Sequence, residues 1–508
     1  MVLGPWDPGP YWFARFALLK GVGVVYLLAF LVAARQFRPL AGEDGLLPLG
    51  DYVDHSRFRD SPSLFHFLDD DTAVAAAGWT GVALSVLAVV GVPAVFGVVG
   101  HAVVWTALWV LYLSFVNAGQ RFYGFGWESM LLESGFLAIF LGPVTVAAPV
   151  AVTWLFRWVL FRNMFGAGLI KLRGDDCWRD LTCLDYHYET QPMPNPVSWF
   201  AHHLSDRVHR VGVAVNHVAE LAIPFLYFAP QPFAAVAGVA TVLFQAWLMV
   251  TGNFAWLNAL TLVLAFSTFS DPLVAGVLPV DVPTAAVASL PVSFQVAGWL
   301  VVAVVVALSY YPVKNMVSSE QAMNAVFDPL HLVNTYGAFG SITRTRYEII
   351  VEGTDDATVG PDTEWKPYAF PGKPDDPERR PPQVAPYHHR LGWQLWFAAM
   401  SPSPRRHPWF VNLLAKLLDG DDGVESLLRE DPFPDDPPEH VRAVRYRYEF
   451  TTPEERSETG CWWNRERVGT YFGPVSRDDD RFRRTLRRLG WDAPEREESD
   501  RRETSAAE

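Results

Sequence analysis

The segment Arg162–Phe200, RNMFGAGLIKLRGDDCWRDLTCLDYHYETQPMPNPVSWF, passes from the end of an apolar run into a polar loop. Lys171 stands at the junction, and Cys177, Cys183, His187 and three prolines follow, with His202 and His203 just beyond. The part before Lys171 suits hydrocarbon and the part after it suits water. A chain that changes solvent in this way crosses a membrane boundary.

The same alternation extends back to the start of the chain. Half of the 508 residues are hydrophobic and only 19% are charged, and the apolar ones concentrate before residue 312. There they form repeated runs of about 17–25 residues, the length that crosses roughly 30 Å of hydrocarbon. The expected spans are 13–34, 75–99, 102–118, 126–142, 150–171, 211–229, 233–251, 253–270 and 294–311. Gly142–Pro143 separates two of them, because proline lacks the donor that would continue a helix. Residues 273–291, with Pro279, Pro283 and Pro291, read as a loop or a re-entrant segment. The first run has Arg15 and Lys20 near its start and is too long for a cleaved leader. The expected fold is a multipass α-helical membrane protein with a C-terminal soluble α+β domain, mainly β-sheet. The transmembrane part covers 1–312, with about nine spans and large loops at 35–74 and 172–210. The soluble domain covers 313–489, and 490–508 is a polar, disordered tail.

Net charge is −14, and only six of the 41 basic residues are lysines. No basic face suited to nucleic acid is expected. The apolar runs make the lipid bilayer an expected partner. Arg35, Arg38, Arg57, Arg59, Arg121, Arg173, Arg179, Arg207 and Arg210 gather in three loops. The positive-inside rule would place those loops, and a tail on their side, in the cytoplasm.

Three cysteines are too few for a disulfide scaffold. Cys177 and Cys183 either close a short loop, which requires an oxidising compartment, or remain reduced thiols. Further ligands at zinc-binding spacing are missing and Cys461 is distant, so no metal site is expected.

Ionisable residues inside apolar runs are costly in lipid and mark candidate sites. On the 150–171 run, helical phase puts Arg157 and Lys171 on one side but about 21 Å apart along the axis. Lys171 reads either as a snorkelling anchor or as a desolvated base. It sits beside Gly166-Ala167-Gly168, small residues that let a second helix approach. In Asn216-His217-Val218-Ala219-Glu220, Asn216 and Glu220 share a face. His217 and Glu220 could move protons, or the stripe could bond neighbouring helices, with Gln245, Asn253 and Asn258 as partners. Glu128 and Glu133 point about 140° apart, so they form no carboxylate pair. Glu133 has Lys171, Arg157 and His217 as possible partners.

The stretches Phe122–Ser129, Asn163–Asp175, Cys177–Cys183, Tyr188–Pro196 and Thr251–Phe254 resemble the lipase maturation factor family, as do Asn334–Phe339, Pro386–Leu391 and Arg445–Tyr448. The resemblance runs through nearly the whole chain. It implies a membrane-bound maturation factor or chaperone that assists folding or assembly of secreted client proteins such as lipases, with no cofactor and no metal. It also implies a soluble tail on the extracytoplasmic side, against the positive-inside reading. Trp127, Glu128, Cys177, Cys183, Tyr336, His388 and Arg390 lie in the shared motifs and are the expected client-binding or structural residues. Eukaryotic members belong to the endoplasmic reticulum membrane. Acidic loops and the lack of a retention signal point to a prokaryotic member in the plasma membrane.

Ala167–Trp178 is also similar to the membrane region of vitamin K-dependent gamma-carboxylases. That alternative implies a membrane enzyme with Lys171 as catalytic base and a reduced quinone as cofactor; Glu133, His217 and Glu220 are further candidate catalytic residues by their place in the apolar runs. In the tail, Tyr347–Val351 and Val441–Thr451 read as strands, and His389–Met400 and Pro408–Asp419 as helices. Trp393, Trp396, Phe397, Trp462 and Trp463 read as core, or, if exposed, as a surface for unfolded chains.

Overall fold

The computed structural model describes residues 11–277, 279 and 288–491. Its contacts divide into two compact units. The first holds the residues up to Glu43, Pro48–Arg344 and Pro381–Arg390, and the second holds Asp44–Leu47, Thr345–Arg380 and the residues from Leu391. Residues 313–344 and 381–390, expected within the soluble tail, therefore pack with the helical unit.

The first unit is built from α1 (Trp12–Ala41), α2 (Asp71–Val90), α3 (Gly97–Ala118), α4 (Gly126–Leu141), α5 (Val150–Arg173), α6 (Leu184–Thr190), α7 (Asp206–His217), α8 (Phe233–Thr251), α9 (Leu257–Ala265), α10 (Asp271–Val277) and α11 (Val292–Leu308), with shorter turns between them. Among the described residues, six helical stretches are long and apolar enough to cross a membrane: Trp12–Ala41, Asp71–Val90, Val92–Ala118, Asp206–Phe228, Phe233–Thr251 and Val292–Val317. A seventh exists if Leu257–Thr268 and Asp271–Val277, bent by 102° at their junction, form one broken span. The expected runs 126–142 and 150–171 form α4 and α5. The first is 16 residues long, and the second carries Arg157, Arg162, Lys171 and Arg173. Most residues of both are buried.

Helix ends follow local chemistry. The Asp70 carboxylate caps α2 by accepting from Ala73 N. Gly91, at φ +92°, ends that helix in the left-handed conformation glycine tolerates. A 3₁₀ turn at Val92–Phe96 follows, so the break falls at Gly91 rather than near residue 100 as expected. Gly142, at φ +70°, ends α4 where the Gly-Pro reading placed a division. Of the segment 273–291, Leu273–Val277 lies in α10 and most of the rest falls outside the described residues.

The second unit contains a four-stranded antiparallel sheet in the order β2-β1-β3-β4, with β1 Arg346–Thr354, β2 Lys366–Pro367, β3 His440–Phe450 and β4 Trp463–Ser476. Ile350 pairs with Val444 and Arg445 with Gly469, and bulges near Val441–Tyr446 twist the long β3–β4 ladder. The strands expected at 347–351 and 441–451 are β1 and β3. The strand β4 was not expected, because its residues are largely exposed and polar and lack clean alternation. Helix α12 (Arg390–Ala399) straddles the boundary of the units, and α13 (Pro408–Asp419) starts with proline and ends at Gly420, φ +62°. Trp393, Trp462 and Trp463 are buried, whereas Phe397 is at the surface. Of the segment 490–508, expected as a disordered tail, all but Gly490 and Trp491 lies outside the described residues.

Candidate functional site

Helix α5 runs through the first unit and delivers three buried cations, each to a partner on another segment. At its C-terminal end, Lys171 Nζ donates to Glu220 Oε1 at 2.5 Å and to Asn216 Oδ1 at 3.3 Å. Asn216 Nδ2 donates to Glu220 Oε2 at 3.0 Å, and the lysine lies 4.9 Å from the Trp178 ring centroid. Glu220 belongs to a π-helical turn, Val218–Ala222, that continues α7. The extra residue per turn is a device often found at functional sites. Gly168 makes the approach possible, since a Cβ there would stand 3.0 Å from the Cβ of Glu220. His217 does not join the pair; its Nε2 donates to the Trp178 carbonyl at 2.9 Å. Of the partners expected for the polar stripe, Gln245 bonds the sulfur of Met164 and Asn253 holds Pro382 and Gln383, whereas the buried Nδ2 of Asn258 bonds neither the stripe nor any other described residue.

Lys171 and Glu220 line a cavity of about 550 Å³ between α5, α6, α7, α8 and α9. Its walls are apolar, including Met164, Leu243, Phe244, Leu248 and Phe254, and Trp178, His187, Asn216, Gln245 and Asn258 add polar groups. No group of three or more histidines, cysteines or carboxylates suited to a metal exists among the described residues.

Glu133 is buried on α4 and pairs with Arg162, which also donates to the Asn334 carbonyl at 2.7 Å. Arg162 was missing from the expected partners, so the assignment of Lys171, Arg157 or His217 is corrected. The signal was present, because Arg162 is a charge inside the same apolar run. Tyr336 donates its hydroxyl to Glu133 at 2.6 Å. Arg157 instead donates to the carbonyls of Ser267 and Tyr227, at 2.9 and 3.1 Å.

A second carboxylate knot forms at the start of α4. Glu128, fully buried, accepts from Arg390 Nη1 at 2.8 Å and from the hydroxyl of Tyr112. Arg390 also donates to the Phe122 carbonyl at 2.8 Å and stacks 3.4 Å from the Tyr123 ring centroid. His388 packs edge-on against Phe125, Trp127 and Trp256. Gln36 on α1 donates to the His388 carbonyl at 2.8 Å. Thus Glu128, Trp127, His388 and Arg390 cluster, while Glu133 and Tyr336 form a separate knot.

The loop after Lys171 is fixed covalently and electrostatically. Cys177 and Cys183 are joined in a disulfide with Cα atoms 4.8 Å apart. They pack with Trp178, Val213 and Ile342. Asp175 accepts from Arg344 at 2.6 and 2.9 Å, and that guanidinium holds its carboxyl down to about 2. The Trp178 indole donates to the Phe339 carbonyl at 2.8 Å.

Burial lowers His187 to about 3, with the Lys171 cation adding to the effect, and lowers His331 and His389 to about 4. These imidazoles are neutral in the folded protein, whereas in an unfolded chain they take up protons near pH 6.5. Their contribution is therefore complete above pH 6.5 and is lost as pH falls toward 4. The thermal midpoint of the detergent-solubilised chain should drop steadily between about pH 6.5 and about pH 4.5. A midpoint constant over that window would contradict the buried neutral histidines.

Two family models match the chain. The lipase maturation factor transmembrane domain matches residues 13–276, and the lipase maturation factor C-terminal domain matches residues 332–473. Lipase maturation factor 1 of Bos taurus is 42% identical over 96% of this chain and 93% of its own length. The Homo sapiens protein of that name is 40% identical over 96% and 91%. Lipase maturation factor 2 of Homo sapiens is 30% identical over 94% and 84%. No solved structure matches. The chain belongs to the lipase maturation factor family.

Proposed function

We propose that this chain is a membrane-embedded maturation factor that assists secreted client proteins, lipases among them, to reach active form by non-covalent binding. The observation that carries this reading is the match to both family domains, in order, along relatives named for lipase maturation. On this reading the knots around Glu128 and Glu133 are structural, and Lys171 is a paired cation that performs no turnover. The experiment is deletion of the gene in a host that secretes a lipase, with lipase activity measured per unit of secreted lipase protein. That ratio falls on deletion and returns with the full-length chain. An unchanged ratio would sink the proposal for lipases.

The second unit is proposed to face the extracytoplasmic side, where secreted clients fold. The disulfide Cys177–Cys183 supports this side for the loop after α5, because such bonds persist in oxidising compartments. The Asp175–Arg344 pair ties the end of the Pro48–Arg344 segment to that loop. Alkaline phosphatase fused after residue 508 should be active. An inactive fusion beside an active cytoplasmic reporter at the same position would reverse the orientation and favour the arginine distribution instead.

A further inference from the structure

The cavity beside Lys171 is larger and more open than its ion pair needs. Its volume of about 550 Å³ lies inside the range of roughly 300–1,000 Å³ typical of small-molecule sites. It lies between two candidate membrane spans, Asp206–Phe228 and Phe233–Thr251. Helix α8 packs on residues 218–228, which follow α7, while the cavity lies between α8 and α7 itself. The lining residues that reach the surface are apolar: Val211 and Val215 on α7, Val218 after it, and Leu243 and Trp247 on α8. A surface of this kind between two spans opens toward lipid chains rather than toward water.

The inner end has different chemistry. Lys171 and Glu220 neutralise each other, so the cavity carries a dipole but no net charge from them. Asn258 is 4% exposed, lines the cavity, and has a buried Nδ2 without a hydrogen-bond partner. His187 also lines it; its ring stacks on Phe254 with centroids 6.0 Å apart and meets Phe339 edge-on at 5.1 Å. A buried amide donor left unpaired is unfavourable, so such a group favours a ligand oxygen that accepts from it. An anionic head would bring a charge into an apolar enclosure where Lys171, the one lysine or arginine among the described lining residues, is already paired, so desolvation disfavours it.

We propose that this cavity is a binding site for a neutral, single-chain amphipath that enters sideways from the bilayer. Its apolar chain lies between α7 and α8, and its uncharged oxygen-bearing head reaches Asn258 and His187. This goes beyond client maturation and stands or falls without it.

The test uses full-length protein in detergent micelles and a photoactivatable 1-monooleoylglycerol carrying a diazirine in its acyl chain. Labelling should fall on Val208–Val218 and Leu243–Trp247 and should be displaced by unlabelled 1-monooleoylglycerol. Oleate and a lysophosphatidic acid should displace it at least about tenfold less well, the difference that 1.4 kcal/mol of charge desolvation produces. Asn258→Leu and His187→Phe should each weaken displacement about fivefold, as expected for one lost neutral hydrogen bond. Leu243→Trp, at an exposed position on the cavity's rim, should suppress labelling by narrowing the entrance without disturbing the core. Labelling spread evenly over the apolar surface and resistant to competition would overturn the site. Equal displacement by oleate would overturn the neutral head, and undiminished labelling of Leu243→Trp would overturn the sideways entrance.

Discussion

A charge placed in an apolar helix must find its partner on another segment, and this requirement organises the helical unit. Removing one partner of a buried pair typically costs about 3–5 kcal/mol, because the other charge is left uncompensated. Arg162 meets Glu133, Lys171 meets Glu220 and Arg390 meets Glu128. Each pair joins residues far apart in sequence. Apolar contacts alone would leave helix register weakly specified in a lipid-like environment, where packing and hydrogen bonds replace the hydrophobic drive. The pairs supply that register.

The Arg390 pair has a further consequence for chain organisation. Residues 381–390 interrupt the second unit's sequence and return to the first, where Asn253 Oδ1 accepts from the backbone of Val384 and Ala385 and Gln36 Oε1 from Arg390 N. A truncation at the end of the apolar region would therefore strip Glu128 of its guanidinium. Loss of function after such a truncation would not by itself assign client binding to the removed part.

Much of this was legible in the sequence. Run length announced six of the nine expected spans, or seven with the bent pair, and charges within apolar runs marked Glu133, Lys171 and Glu220 as residues needing partners. The small residues before Lys171 announced a close approach, which Gly168 and the π-helical turn make. The pairings themselves were not legible. Ideal helical phase continues through Val218–Ala222, so no spacing rule foresees the π turn that presents Glu220. Glu133 bonds Arg162, whose place near the middle of α5 looked like one more basic residue beside Arg157 and Lys171. The Cys177–Cys183 choice depended on a loop geometry that spacing leaves open. Strand β4 escaped because an exposed, charged strand has no alternation to read.

Under the proposed function Lys171 is half of a neutral pair rather than a reacting base, and a double-mutant cycle on Lys171 and Glu220 tests that most directly. Lys171→Met and Glu220→Leu should each lower the thermal midpoint and the specific activity of a secreted client. The Lys171→Met/Glu220→Leu double variant should recover most of both, since no buried charge is then left alone. Stability restored without client maturation would contradict the account and assign the lysine a chemical role of its own.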